Sequence, residues 1–435
     1  MGSNRKTAYF ALMAVETKKS YSNIALNHHI KRGNPESPGF VRELVYGVLE
    51  NKYLLDYIID YFVPSGAAKL KNQDLTILRM GIYQIGYMDS VPEYAAVNES
   101  VDMAKKFAKG RSAFINGVLR TYIREKFKVN LPDRGEDEVR YLSIKYSYEP
   151  WIIELWMEHF EIEFVEKLLQ AGNETPDLVI RLNWLKIMKK DLIAQLEGQG
   201  FKVREGKLSS NALHVDGPNI LETQEYKLGM FSVQDESSQL ATVMLDPQHG
   251  DFVMDVCAAP GGKTLAIAER MNNTGTVLAS DVYTRKVRII DKESKRLGLT
   301  NVRTRTWDAT KVDSDLIGKA DRVIVDAPCT GLGVIRRKPE IKYIKRSTDI
   351  DQLPRKQAEI LAASSKYVKT GGILMYCTCT INPEENQKVV LDFLRKHKDF
   401  EKQEMVELFP NVDGTNGFFI CKMLKRDNMV GQKEF

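Results

Sequence analysis

The segment 252–268 constrains this chain more than any other. An apolar run, Phe252-Val253-Met254, ends on Asp255 and gives way to Val256-Cys257-Ala258-Ala259-Pro260-Gly261-Gly262-Lys263-Thr264; Leu265-Ala266-Ile267-Ala268 follows. A strand, a loop of small residues and a helix opening on glycine make the first half of a parallel β-α-β unit. Such a unit commits the chain around it to a sheet covered by helices on both faces. The sequence downstream agrees. Strand candidates at 277–280, 302–304, 322–325, 373–376 and 418–423 are separated by helical stretches. Residues 234–435 are therefore expected to form a doubly wound, Rossmann-like α/β domain.

The remaining chain reads differently. Residues 1–130 carry apolar residues at helical spacing, as in Val41, Leu44, Val45, Val48 and Leu49, or Leu75, Leu78, Ile82 and Ile85. Asn72 or Asp74 could cap the second run. No strand-like alternation occurs, so a bundle of short helices is expected. Pro132 and Gly135 mark a linker. Between 131 and 233, helices around 135–172 precede a small β-α-β-β-α-β pattern with strands near 178–183, 201–204, 212–215 and 230–233. That is an RRM-like α+β unit without the clustered aromatics that stack bases.

Charge separates the same regions. Residues 1–130 hold 19 Lys+Arg against 12 Asp+Glu, residues 131–225 hold 11 against 18, and residues 226–435 hold 33 against 28. A basic front and a mildly basic back suit a polyanion gripped at two places. The five cysteines show no disulfide framework, which points to a reducing cytoplasm. No apolar run approaches the roughly 20 residues of a spanning helix, so no membrane partner is expected.

Three ligands compete for the glycine loop. A P-loop needs glycine at 257, where Cys257 stands, so Lys263-Thr264 misleads. A dinucleotide fingerprint is absent. S-adenosylmethionine is favoured by acids at successive strand ends, which face one crevice. Asp281 is placed to accept both ribose hydroxyls, Asp308 to meet the adenine amino group, and Asp326 closes the fourth strand. The candidate cofactor set is Cys257, Ala258, Ala259, Pro260, Gly261, Gly262, Lys263, Asp281, Asp308 and Asp326.

Two thiols lie on separate loops behind this one: Cys329 in Asp326-Ala327-Pro328-Cys329 and Cys379 in Tyr376-Cys377-Thr378-Cys379-Thr380. A ring carbon such as carbon 5 of cytosine is a poor nucleophile. A thiolate adding at carbon 6 makes it an enamine carbon that can take a methyl group, after which a proton and the thiol must leave. Cys329, Cys379 and Asp326 match these needs in type. Cys257, Cys377 and Cys421 read as small core residues, and no metal set is completed. The residues alone do not say which thiol attacks.

The blocks DVCAAPGGKT, DAPCTGLGVIRRKPEIKY, YCTCTINPEEN and TNGFFICKMLK are similar to those of RNA cytosine-5 methyltransferases. Residues 91–99 and 114–120 resemble the NusB family of RNA-binding helical bundles. Together they resemble the RsmB (Sun/Fmu) family of small-subunit ribosomal RNA methyltransferases over essentially the whole chain. That resemblance implies Cys379 as nucleophile, Cys329 as an aid to product release, and S-adenosylmethionine at the loop and acids named above. It implies ribosomal RNA as partner; transfer RNA, or a non-catalytic role in ribosome assembly, is the alternative. The run containing Arg336, Arg337, Lys338, Lys342, Lys345 and Arg346 lies just past Cys329 and is expected to contact RNA phosphates.

Overall fold

The computed structural model describes residues 3–427. It contains two compact units: the chain up to Glu174 together with Ile335–Ser347, and Thr175–Val334 together with the chain from Thr348 onward.

The first unit is helical. Ser3–Lys18, Ser22–Gly33, Pro38–Glu50, Lys52–Phe62, Asn72–Tyr87, Glu93–Phe107 and Ser112–Glu125 form its bundle. Helix Pro38–Glu50 shows why the pattern works. Ser37 accepts from the Phe40 amide at its start, Pro38 fits the first turn, and Val41, Leu44, Val45, Val48 and Leu49 are all buried. Gly47 permits a close crossing: a Cβ there would stand 1.9 Å from the Tyr83 ring. The expected cap at Asn72 or Asp74 is not made. Lys71 holds the cap position without a side-chain bond, and Asp74 instead accepts from Arg111 at 2.9 Å. Helices Glu138–Tyr146, Pro150–Met157 and Ile162–Ala171 pack in this unit as well.

The second unit opens with an antiparallel sheet of four strands: β1 (Leu178–Leu182), β2 (Lys202–Glu205), β3 (Ala212–Asp216) and β4 (Phe231–Val233), in the order β2-β3-β1-β4. Ile180, Leu182, Leu213 and Phe231 bury one face against Leu192 and Leu196 of helix Lys189–Gly198. This is the β-α-β-β-α-β pattern that the sequence predicts.

Seven strands form the larger sheet: β5 (Phe252–Asp255), β6 (Thr276–Asp281), β7 (Val302–Thr306), β8 (Ala320–Asp326), β9 (Val368–Thr378), β10 (Phe400–Leu408) and β11 (Phe418–Lys425). Their order is β10-β11-β9-β8-β5-β6-β7; β5 to β9 run parallel, and β11 is antiparallel to both neighbours. Strand order reverses between β5 and β8, which opens a crevice at the carboxyl ends of the strands. Apolar clusters cover both faces, one including Ile360, Leu361 and Val390, the other Leu265, Ile267 and Met244. Among the described residues, no helix is long and apolar enough to cross a membrane.

Candidate active site

The glycine loop leaves β5 at Asp255 and enters helix Gly262–Arg270. Gly261 is the N-terminal cap with φ of +108°, and a Cβ on it would stand 3.1 Å from Ile290. Only glycine holds that backbone comfortably. The turn is closed by the Gly261 amide donating to the Ala258 carbonyl at 2.7 Å. The Lys-Thr pair points inward. Thr264 Oγ1 donates to Asp255 Oδ2 at 2.6 Å, and Lys263 Nζ donates to Asp326 Oδ2 at 2.7 Å. Burial drives the Asp255 carboxyl up to about 7, against the pull of Thr264. For Lys263, burial works downward, but Asp326 together with Cys377 and Cys379 outweighs it and holds the ammonium above its ordinary value.

The other acids sit at the same end of the sheet. Asp281 ends β6, and its Oδ1 accepts from the Tyr283 amide at 3.0 Å. Asp308 lies two residues beyond β7. Its Oδ1 takes both the amide and the hydroxyl of Thr310, and the amide bond leads in holding its carboxyl below the usual range. One oxygen of each carboxylate is thereby fixed, while among the described residues the other has no such contact.

The thiols converge. Asp326, the last residue of β8, is in register with Cys377 of β9, so the two loops leave adjacent parallel strands at one level. The Sγ atoms of Cys329 and Cys379 are 3.4 Å apart, and both side chains are half-buried. The hydrogen bond to Cys379, followed by burial, raises the Cys329 thiol well above its ordinary value. Cys377 and Cys421 are fully buried, and the Cys377 thiol donates to Asp326 Oδ1 at 3.8 Å. Among the described residues, no group of three or more His, Cys, Asp or Glu could hold a metal ion.

Sequence reasoning missed the groups that hold these loops. Glu385 is fully buried between the two, taking hydrogen bonds from Thr330, Gln357 and Asn382. Its only sequence signal was an acid just past the second thiol. Arg181 of β1 was also missed. Its guanidinium makes a two-pronged contact with Glu269 at 2.8 and 2.9 Å and donates to the Gly262 carbonyl at 3.0 Å, which ties the small sheet to the glycine loop.

The basic run is where expectation and structure part. Residues 335–347 pack in the helical unit. Lys342 is 0% exposed; its ammonium donates to the carbonyls of Glu50 (3.1 Å) and Tyr146 (3.3 Å) and to Asn173 Oδ1 (2.5 Å), over the Tyr148 ring. It cannot reach a phosphate. A buried cation needs acceptors around it, and this one has them. Arg336, Arg337, Lys338 and Lys345 are half-buried, with Lys338 lying over Tyr21; only Arg346 is exposed.

Family models match in chain order. The NusB family covers residues 3–124, a ferredoxin-like domain of RsmF/B-type methyltransferases covers 148–222, and 16S rRNA methyltransferase RsmB/F covers 242–424. A probable ribosomal RNA small subunit methyltransferase B from Bacillus subtilis is 37% identical, over 97% of this chain and 98% of its own. The chain belongs to the ribosomal RNA small subunit methyltransferase B family. A second member, from Escherichia coli K12, is 30% identical over 95% of this chain and 96% of its own. The crystal structure of PH0851 superposes with a TM-score of 0.85 at 26% identity, covering 97% of this chain and 98% of that one. The enzyme is thus an RNA methyltransferase whose methyl donor is S-adenosylmethionine. The glycine cradle and the half-engaged carboxylates of Asp281 and Asp308 suit a ligand with ribose hydroxyls and an amino group.

Proposed function

We propose that this enzyme methylates carbon 5 of a cytosine in small-subunit ribosomal RNA through a covalent bond between Cys379 and carbon 6. The observation that carries this reading is the pair of thiols 3.4 Å apart at the carboxyl ends of β8 and β9, beside the glycine loop. Two nucleophilic groups in van der Waals contact have no use in a simple methyl transfer to an amine or hydroxyl. They suit a reaction in which one sulfur bonds and must later be expelled.

The family resemblance assigns the attack to Cys379 as thiolate. The hydrogen bond to Cys379 and burial hold the Cys329 thiol above its ordinary value, which suits it to donate a proton. Asp326, backed by Lys263, accepts a hydrogen bond from the cytosine amino group and orients the ring. Addition at carbon 6 pushes an electron pair toward carbon 5, which takes the methyl group. Bound S-adenosylmethionine supplies that group as an electrophile. The carbon 5 proton then passes to water, its electron pair restores the ring double bond, and the carbon 6–sulfur bond breaks. Cys329 donates its S–H to the departing sulfur and so aids elimination. Asp281 holds the ribose hydroxyls and Asp308 the adenine amino group, beside residues Cys257–Lys263. The substrate is free or partly assembled small-subunit RNA.

The test separates the thiols. Cys379→Ala is expected to abolish methylation and to give no covalent RNA adduct. Cys329→Ala is expected to attack and methylate but to stall before elimination. A denaturing gel of each variant with substrate RNA and methyl donor should show a slow-migrating band for Cys329→Ala only. The opposite pattern would exchange the roles, and no adduct from either would remove the covalent route.

A further inference from the structure

The buried carboxylate of Glu385 touches both thiol loops. Its Oε2 accepts from the Thr330 amide (2.8 Å) and Gln357 Nε2 (2.9 Å); its Oε1 accepts from Asn382 Nδ2 (3.0 Å) and the Thr330 hydroxyl. Thr330 is the residue after Cys329. Asn382 lies three residues after Cys379, and Thr380, the residue after Cys379, has its hydroxyl 2.7 Å from that of Thr330. Gln357 comes from helix Thr348–Ser365 and also donates to the Pro328 carbonyl at 2.9 Å.

Every nitrogen among these partners is locked as a donor; the Thr330 hydroxyl, which also meets that of Thr380, can turn either way. The Thr330 amide can only donate. A carbonyl such as that of Pro328 can only accept, so it fixes which end of the Gln357 amide is nitrogen. Asn382 Oδ1 accepts from the Glu384 amide at 3.1 Å, which fixes Asn382 the same way. An acceptor-only side chain is therefore what the site demands. A glutamine at 385 would bring an NH2 group against a locked N–H in either orientation.

The two loops depend on this contact unequally. Cys379 follows Thr378, which is still paired with Phe419 of β11. Cys329 stands three residues beyond the end of β8 and is anchored at Pro328 and Thr330 by Gln357 and Glu385. Loss of the carboxylate should move Cys329 more than Cys379.

We propose that Glu385 is a positioning residue that sets the spacing between the two thiols, and that it acts on product release rather than on attack. The second part rests on the covalent reading above; the first does not. The experiment uses full-length Glu385→Gln and has three measurements. The first follows single-turnover methyl transfer and adduct decay with substrate RNA. Release is expected to slow by about tenfold, the scale of one buried donor left unsatisfied, with transfer changing much less. The second is oxidation with diamide, which takes two electrons and two protons from the thiols and leaves a Cys329–Cys379 disulfide. The variant is expected to close it about tenfold more slowly than the wild type. The third is calorimetric affinity for S-adenosylhomocysteine, expected unchanged.

Unchanged disulfide closure and release would overturn the proposal. So would a parallel loss of transfer, release and cofactor affinity, which marks general structural damage. Slowed disulfide closure in a protein whose Cys329→Ala form gives no adduct would support the spacing role and sink the covalent chemistry. If Glu385→Gln does not fold, Thr330→Val removes the hydroxyl that joins Thr380 to Glu385 and carries the same readouts.

Discussion

Asp281 shows what a single side chain can reveal in advance. Its place was legible because a strand end is legible: an apolar run stops, a turn begins, and the acid at that point faces the crevice. In the structure it is 9% exposed, with one oxygen held by the Tyr283 amide. Asp281→Ala is expected to weaken S-adenosylhomocysteine binding by about 1.5–3 kcal/mol, the range for hydrogen bonds to a charged group. The fold should be unaffected. Calorimetric titration checks this, and unchanged affinity would remove Asp281 from the cofactor site. Lys342 shows the opposite case. Six cations within residues 336–346 look like a solvated face, because nothing local satisfies them. The groups that do satisfy Lys342 lie 292, 196 and 169 positions away, so no reading of the run alone could find them. Glu385 escaped for the same reason: its four donors come from three separate segments.

Among the elements, those with a period of their own were readable and those defined by a neighbour were not. Helix Pro38–Glu50 and strands β5 to β9 carry their patterns in sequence. Strand β10, with Glu401, Lys402, Gln403, Glu404 and Glu407, does not read as a strand. Among the described residues it is an edge strand, paired with β11 alone, and its polar side chains keep that edge in water. The bond between β1 and the glycine-loop helix is likewise invisible from either element. Arg181 and Glu269 are each 4% exposed in their side chains, so neither charge can be rehydrated if the other is lost. Arg181→Met is expected to destabilise the protein by about 3–5 kcal/mol, whereas Arg181→Met with Glu269→Met should recover much of that loss. Urea unfolding of the two variants and the wild type measures it. Equal loss in the single and double variants would show that packing, not an orphaned charge, sets the cost.

At the scale of the whole chain, the order of helical bundle, small α+β unit and doubly wound sheet was legible from period and charge. The path of the backbone was not: a segment embedded in the sequence of the methyltransferase domain belongs to the helical unit. A fragment beginning near Thr175 would strip Lys342 of every partner named above, so it is a poor test of what the helical unit does. Substitution in the full chain is cleaner. Lys69, Lys71, Lys106, Lys109 and Arg111 line one concavity whose sole acid, Asp74, is already bound to Arg111. Changing the four lysines to glutamine is expected to weaken RNA binding and to flatten its salt slope by up to about 3, from roughly 0.7 per lost contact on single strands. Cofactor affinity should not move; filter binding across a salt series decides, and an unaltered slope would place the RNA elsewhere. The shared segment also has a consequence in time. About 160 residues separate Glu174 from Ile335. At about 5–20 residues per second, a ribosome needs about 8–30 s to bridge that gap. For that interval the nascent bundle has Glu50, Tyr146 and Asn173 in place but no lysine to bind them. The helical unit is the first to be synthesised and cannot be the first to be finished.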